Sequence, residues 1–165
     1  MTPTENGLPT ARSGGAVVAR SLQLLAAAGV ALGGGLHLQI WYDSKRKIPG
    51  QVPGVWVVQE GFVADAATSA LVAAMIVVAA FGPRIVVQRA ALVTGLLVEL
   101  GSIAGLVASR GGGVFGWSEK GWDGDAKRVL TVEIVAALVA VGALAWSVVK
   151  SSRRSPTGPA DSTAA

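Results

Sequence analysis

The chain has 165 residues, of which 52% are hydrophobic and 15% charged, and its formal net charge is +4. A typical soluble domain has about 25% charged residues, so this composition excludes an ordinary soluble domain. Cysteine is absent, which excludes a disulfide framework, a thiolate metal site and a cysteine nucleophile. The basic residues lie in short groups beside apolar stretches, where they would set membrane topology, and we therefore expect no nucleic-acid partner.

Four long apolar stretches follow one another along the chain. At about 1.5 Å per residue, each is long enough to cross a hydrocarbon core of about 30 Å. The predicted spans are residues 22–41, 55–81, 85–108 and 129–149. The sequence thus predicts an all-α integral membrane protein whose partner is the lipid bilayer, with a four-span bundle over residues 14–150.

The first span has an alternative interpretation as a secretory signal peptide, because Arg12 and Arg20 precede an apolar core. Apolar character continues well beyond such a core, however, and ends at the pair Trp41–Tyr42, followed by three basic residues at 45–47. Aromatic and basic residues in this order are typical of a span that meets the membrane interface. We therefore predict a retained first helix.

Three connections join the four spans: one tight turn and two longer loops, which we call the long loops. The first loop, residues 43–54, contains Pro49 and Pro53, a tight turn at 82–84 follows the second span, and a glycine-rich loop over 110–125 precedes the fourth. Short connections force neighbouring helices to be antiparallel, which predicts an up-down-up-down bundle. The terminal segments 1–13 and 151–165 are rich in Pro, Ser, Thr and Ala and are predicted to be disordered tails.

The orientation follows from weaker signals. Seven basic residues fall on each side of the predicted membrane, so the positive-inside rule does not decide between the two orientations. The tight turn carries Arg84, with Arg89 just beyond it, which is typical of a cytoplasmic connection. We expect the cytoplasmic membrane as the location, with both termini in the cytoplasm.

Ionisable residues inside the spans are the main functional signal. The histidine and the acids well inside the spans are His37, Asp65, Glu99 and Glu133, one in each span, and all four fall in the membrane half nearest the long loops. A charged side chain at the bilayer centre costs about 2.5–3.5 kcal/mol on insertion scales, so such residues usually face a bundle interior and serve a function. Glu60 is a further candidate that lies either inside the second span or at its interface.

Small residues share helix faces with these ionisable groups and predict that they point at neighbouring helices. The stripes are Gly29 and Gly33 with His37; Gly61, Thr68 and Ser69 with Asp65; Gly95 and Ser102 with Glu99, beside Gly101 and Gly105; and Ala136, Ala137, Ala140, Ala143 and Ser147 with Glu133. The four groups should therefore converge on one polar pocket that opens toward the long loops.

Two classes of function follow. Three clustered carboxylates cannot all be ionised cheaply in a low dielectric, so the pocket suits a proton relay, a metal ion or a cationic small molecule. Alternatively, the carboxylates pair with His37, Arg128 or backbone donors and only fix the packing, as in a non-catalytic accessory or scaffold subunit. The small-residue faces would also suit a homo-oligomer or a larger membrane complex. The sequence names no cofactor and no catalytic residue.

Aromatic side chains lie near the span ends, as in the aromatic belts of membrane proteins. The predicted interface residues are Trp41, Tyr42, Trp56, Trp117 and Trp122.

One local pattern resembles a known group. The run Gly34-Gly35-Leu36-His37-Leu38-Gln39-Ile40-Trp41, followed by Ile48-Pro49, resembles the Gly-x-x-His-Leu-x-x-Trp and Ile-Pro pattern of small four-span membrane proteins from high-GC Gram-positive bacteria. Together with the run Pro53-Gly54-Val55-Trp56-Val57-Val58-Gln59 that follows, the resemblance spans residues 34–59, about a sixth of the chain. It implies the same topology and gives weight to His37 and Trp41, but it carries no function.

Overall fold

The structure is a computed structural model that describes residues 12–47, 55–114, 118 and 121–152. Four helices account for nearly all of them: α1 Arg12–Lys47, α2 Val55–Phe81, α3 Ile85–Gly111 and α4 Gly124–Ser152. Each is long and apolar enough to cross a membrane, as expected of a multi-pass membrane protein. The prediction of an all-α chain with four such helices is confirmed for the described residues.

The helices are longer than several of the predicted spans. α1 begins before residue 22 and continues past residue 41, while α4 begins before residue 129 and continues to Ser152. A helix can extend beyond the hydrocarbon core, because its backbone hydrogen bonds do not depend on an apolar solvent. The remaining parts of both predicted tails, 1–11 and 153–165, lie outside the described residues, as does loop 48–54.

Local signals fix the helix ends at the tight turn and in the described part of the loop between α3 and α4. Gln88 Nε2 donates to the Gly82 carbonyl at 2.8 Å and ties the tight turn to the start of α3. Gly113, with φ of 86°, closes the end of α3 by donating from its amide to the Ala108 carbonyl. Asp123 Oδ1 then accepts the Ala126 amide at 2.8 Å and caps the start of α4.

Glycines allow the helices to approach closely. A Cβ built on Gly29 would lie 2.7 Å from Ala136 Cβ in α4, and one on Gly34 would lie 2.6 Å from Ser69 Cβ in α2. At such distances a side chain could fit only if the helices moved apart. The predicted small-residue contact at Gly29 is therefore present, and Gly34 adds a contact with α2 that the α1 stripe did not include.

The contacts of α1 with α4 run in opposite directions along the two helices. Gly15 lies against Lys150, Gly29 against Ala136, and Gly33 against Glu133. The core between the helices consists mainly of small and branched side chains: Ala26, Ala27, Val30, Val72, Ala73, Ile76, Ala79, Ala91, Leu92, Ala140 and Ala143. Large apolar side chains such as Val78, which is 74% exposed, cover the outer surface, where lipid would solvate them.

Candidate functional site

His37 is the hub of a buried polar cluster near the long-loop end, where α1 and α3 finish and α2 and α4 begin. Its residue is 5% exposed, and its Nε2 lies 2.8 Å from Glu133 Oε1. Its Nδ1 makes no hydrogen bond and lies 3.5 Å from Asp65 Oδ2. The imidazole therefore stands between carboxylates from two different helices, α2 and α4.

Ser102 joins α3 to the same cluster. Its hydroxyl donates to Glu133 Oε1, and its Oγ also lies 3.2 Å from His37 Nε2. One carboxylate oxygen thus accepts from a hydroxyl while it contacts the imidazole. Ser102 follows Glu99 by three residues on α3, which places both on one helix face. That spacing is the sequence signal for its role.

Glu99 lies on the inner side of the cluster. It is 2% exposed, and its Oε2 is buried without a hydrogen bond. A Cβ on Gly33 would lie 3.7 Å from Glu99 Oε1 and 3.8 Å from Glu133 Cγ, so the glycine backbone lies beside both acids. Glu133, also 2% exposed, has its second oxygen, Oε2, without a hydrogen bond.

The structure therefore brings His37, Asp65, Glu99 and Glu133 together, and we call these four residues the acid–imidazole centre. Glu99 interacts electrostatically with each of the other three. Asp65 differs from the other two acids, because its side chain is 23% exposed. In the described part of the chain, no group of three His, Cys, Asp or Glu side chains is arranged to hold a metal ion.

A cavity of about 320 Å³, the α2–α3 cavity, lies beside the centre between α2 and α3. Helix α1 contributes His37 to its wall, and α4 contributes none of the residues that line it. The lining residues are His37, Val57, Val58, Gly61, Phe62, Asp65, Gly101, Ser102, Gly105, Leu106, Ser109 and Val114.

This cavity corrects one expectation about small residues. Gly61, Gly101 and Gly105 were predicted to mark helix contacts, but a Cβ on any of them would meet nothing within 4 Å. The absent side chains leave room between α2 and α3 at the long-loop end. Closer to the tight turn the two helices do pack, because a Cβ on Gly95 would lie 2.9 Å from Ile76 Cδ1.

A second, smaller cavity of about 70 Å³, the loop-side cavity, lies on another side of the imidazole. Its lining residues include His37, Arg110 in the last turn of α3, Asp123 just before α4, and Asp125 in the first turn of α4. The side chains of Asp123 and Asp125 are 69% and 60% exposed. His37, Phe62 and Leu106 line both cavities and separate them.

The other predicted residues are not members of the acid–imidazole centre. Glu60 is exposed and does not line the α2–α3 cavity. Tyr42, Trp56 and Trp122 are exposed near helix ends, Trp41 is half-buried, and Trp117 lies outside the described residues.

Phe62 is a site residue that the sequence reasoning did not select. Its ring contacts the His37 ring edge-on, with centroids 5.3 Å apart. Its position three residues before Asp65 places the two on one face of α2, which is the signal that could have found it.

The fold and the site define a class: an all-α, multi-pass helix bundle with an ionisable centre between its helices. No protein-family model, no curated protein and no solved structure matches this chain.

Proposed function

We propose that this protein binds protons at the acid–imidazole centre and exchanges them with the aqueous phase at the long-loop end of the bundle. The observation that carries the proposal is the arrangement of three carboxyl groups around one imidazole. Glu133 lies 2.8 Å and Asp65 3.5 Å from the ring nitrogens, and Glu99 lies beside Glu133.

Charge balance supports protons as the ligand. With every group ionised, the centre would hold three negative charges and at most one positive charge. An uncompensated buried charge costs several kcal/mol even after relaxation, so uptake of a positive charge is favourable. The donor set suits protons better than a metal ion, since no three ligating side chains in the described residues have a metal-binding arrangement.

The unbonded oxygens support the same ligand. Glu99 Oε2 and Glu133 Oε2 are both buried without a hydrogen-bond partner. A protonated carboxyl group carries no charge, so leaving it buried without a partner costs less than leaving a carboxylate there. A proton taken up by the centre can therefore bind to Glu99 or to Glu133.

The loop-side cavity supports exchange with water. It connects His37 with the exposed carboxylates of Asp123 and Asp125, and Arg110 lies on the same wall. Histidine is the side chain whose charge changes most readily near neutral pH. A proton would therefore pass from the surface acids to His37, and from there to Glu133 or Asp65.

We further propose that the bundle is up-down-up-down and lies in the cytoplasmic membrane of a bacterium, with both termini in the cytoplasm. The opposed contacts of α1 with α4 support this topology. The resemblance to small four-span proteins of high-GC Gram-positive bacteria supports the source. The acid–imidazole centre then lies in the outer half of the membrane.

An accessory role in a larger membrane complex is the alternative function, and a stoichiometric partner that co-purifies after mild solubilisation would favour it.

Infrared difference spectroscopy tests the proposal on the purified chain in lipid nanodiscs, between acidic and neutral buffer. We expect carboxyl C=O bands of buried, protonated acids, and Glu99→Gln should remove one of them while the protein stays folded. Glu60→Gln is the matched control, because Glu60 is an exposed acid on α2. The proposal fails if no buried carboxyl band changes with pH, or if the control variant removes the same band as Glu99→Gln.

A further inference from the structure

The α2–α3 cavity has the size and the chemistry of a ligand site. Its volume of about 320 Å³ lies within the roughly 300–1,000 Å³ that is usual for small-molecule sites. Such sites are mainly apolar with a few placed polar groups. Here Val57, Val58, Leu106 and Val114 supply apolar wall, and Asp65 lies among them.

The polar groups of this cavity select the charge of the ligand. Asp65 is the one acid of the acid–imidazole centre that lines it, and no Lys or Arg occurs among its described lining residues. An anionic group, such as a lipid phosphate, would therefore be repelled. The Asp65 carboxylate lies 3.5 Å from His37 Nδ1, while His37 Nε2 is engaged with Glu133 at 2.8 Å. Asp65 is thus held farther from the imidazole than Glu133 is.

Two rings also line this space. His37 is 5% exposed, and its Nδ1, which makes no hydrogen bond, lies 3.5 Å from Asp65 Oδ2. The Phe62 ring lines the same wall, and the face of an aromatic ring attracts a cation within about 6 Å. A carboxylate, an aromatic ring and an apolar wall together suit an alkylated ammonium group rather than a small inorganic ion.

We infer that the α2–α3 cavity binds a hydrophobic organic cation, with its positive group beside Asp65 and Phe62 and its apolar body along Gly101 and Gly105. The inference rests on the proposed function, since the cation would neutralise the same centre that takes up protons. The absence of side chains at the glycines provides the space for the apolar body. Entry between α2 and α3 suits a ligand that first dissolves in the bilayer.

Binding of benzyltrimethylammonium tests the inference. The full chain is placed in lipid nanodiscs, and equilibrium dialysis measures bound ligand, with empty nanodiscs correcting for partitioning. Neopentylbenzene, the neutral carbon isostere, serves as a competitor. We expect saturable binding of the cation and little displacement by the isostere. Equal competition by the isostere would overturn the inference, because the cavity would then select shape without charge.

Two variants test separately whether binding needs the charge of Asp65 and the open volume of the α2–α3 cavity. Asp65→Asn removes the charge, and we expect affinity to fall about tenfold to 100-fold, because the quaternary ammonium group loses its Coulombic attraction to the carboxylate. Gly105→Leu fills the cavity without changing any charge, and we expect it to abolish binding. Gly142→Leu in α4 is the control, because a Cβ there also meets nothing within 4 Å but the residue does not line the cavity. Unchanged binding in either test variant would overturn the inference.

The two proposals fail separately. If the buried carboxyl bands respond to pH but benzyltrimethylammonium does not bind, proton binding stands and the cation site is wrong. If the cation binds through Asp65 while no carboxyl band responds to pH, the cavity is a cation site and the proton proposal is wrong.

Discussion

Replacing His37 and Glu133 separately and together should reveal a strong energetic coupling between α1 and α4. The two side chains are 2.8 Å apart, and their residues are 5% and 2% exposed. His37→Leu and Glu133→Met remove the polar atoms and keep an apolar side chain in place. Each single variant leaves one buried polar group without this partner, which costs about 1–3 kcal/mol. The double variant removes both groups and should cost less than the sum.

The size of the coupling distinguishes two states of the pair. Hydrogen bonds between membrane helices average about 0.6 kcal/mol in double-mutant cycles, whereas hydrogen bonds to charged groups contribute about 1.5–3 kcal/mol. We expect a coupling of about 1.5–3 kcal/mol, because three acids surround one imidazole and an ion pair reduces that excess of negative charge. A coupling near 0.6 kcal/mol would indicate a neutral pair.

The assay is the free energy of unfolding by denaturant in mixed micelles, measured for all four proteins of the cycle. A second cycle combines His37→Leu with Ser147→Ala, a buried serine at the other end of α4 that contacts Arg89 at 3.0 Å. Distant sites add to within about 0.3–0.5 kcal/mol. The assigned contact is refuted if the His37–Glu133 cycle is as additive as this control cycle.

Three further predictions address the scaffold. Gly29→Ala should destabilise the protein by about 1–3 kcal/mol in thermal unfolding, because the added Cβ would lie 2.7 Å from an α4 side chain. Gly35→Ala is the control and should be neutral or slightly stabilising, because a Cβ there meets nothing within 4 Å. Equal effects of the two substitutions would contradict the α1–α4 contact. Arg89→Gln should lower the free energy of unfolding by about 1–3 kcal/mol, because Arg89 donates three hydrogen bonds to α4, and an unchanged value would argue against them. Reporter fusions after Ala165 and at Gly112 should give cytoplasmic and external activity, respectively, and the reverse pattern would place the acid–imidazole centre in the cytoplasmic half.

The sequence was sufficient to predict the helices and the convergence of the ionisable groups. Apolar stretches of this length have few structural alternatives. An ionisable side chain in such a stretch must also turn away from lipid, so one group in each of four helices predicts a meeting point. His37, Asp65, Glu99 and Glu133 share that layer in the structure.

Glu60 shows that helical geometry alone could have narrowed the candidates. It precedes Asp65 by five residues, which places the two side chains about 140° apart around α2 at 100° per residue. When Asp65 faces the bundle, Glu60 must face largely away from it. The structure accordingly leaves Glu60 exposed.

The α2–α3 cavity could not be predicted, because a glycine stripe has the same appearance whether it makes a contact or leaves a gap. Gly29 and Gly33 lie four residues apart, as do Gly101 and Gly105, yet the first pair packs against α4 side chains and the second pair faces open space. The difference depends on where the neighbouring helices lie, since α2 and α3 pack at Gly95 and leave space at Gly101 and Gly105. The placement of whole helices is not set by any local spacing.

The position of His37 links the two proposals physically. Its ring lines both the apolar α2–α3 cavity and the polar loop-side cavity, and it is one of three side chains that separate them. A cation beside Asp65 would stabilise that carboxylate in its ionised form and would disfavour a positive charge on the neighbouring imidazole. Binding from the lipid side would therefore promote proton release toward Asp123 and Asp125. By linkage, protonation of the centre would weaken cation binding by the same factor, so the two ligands would compete through Asp65 and His37.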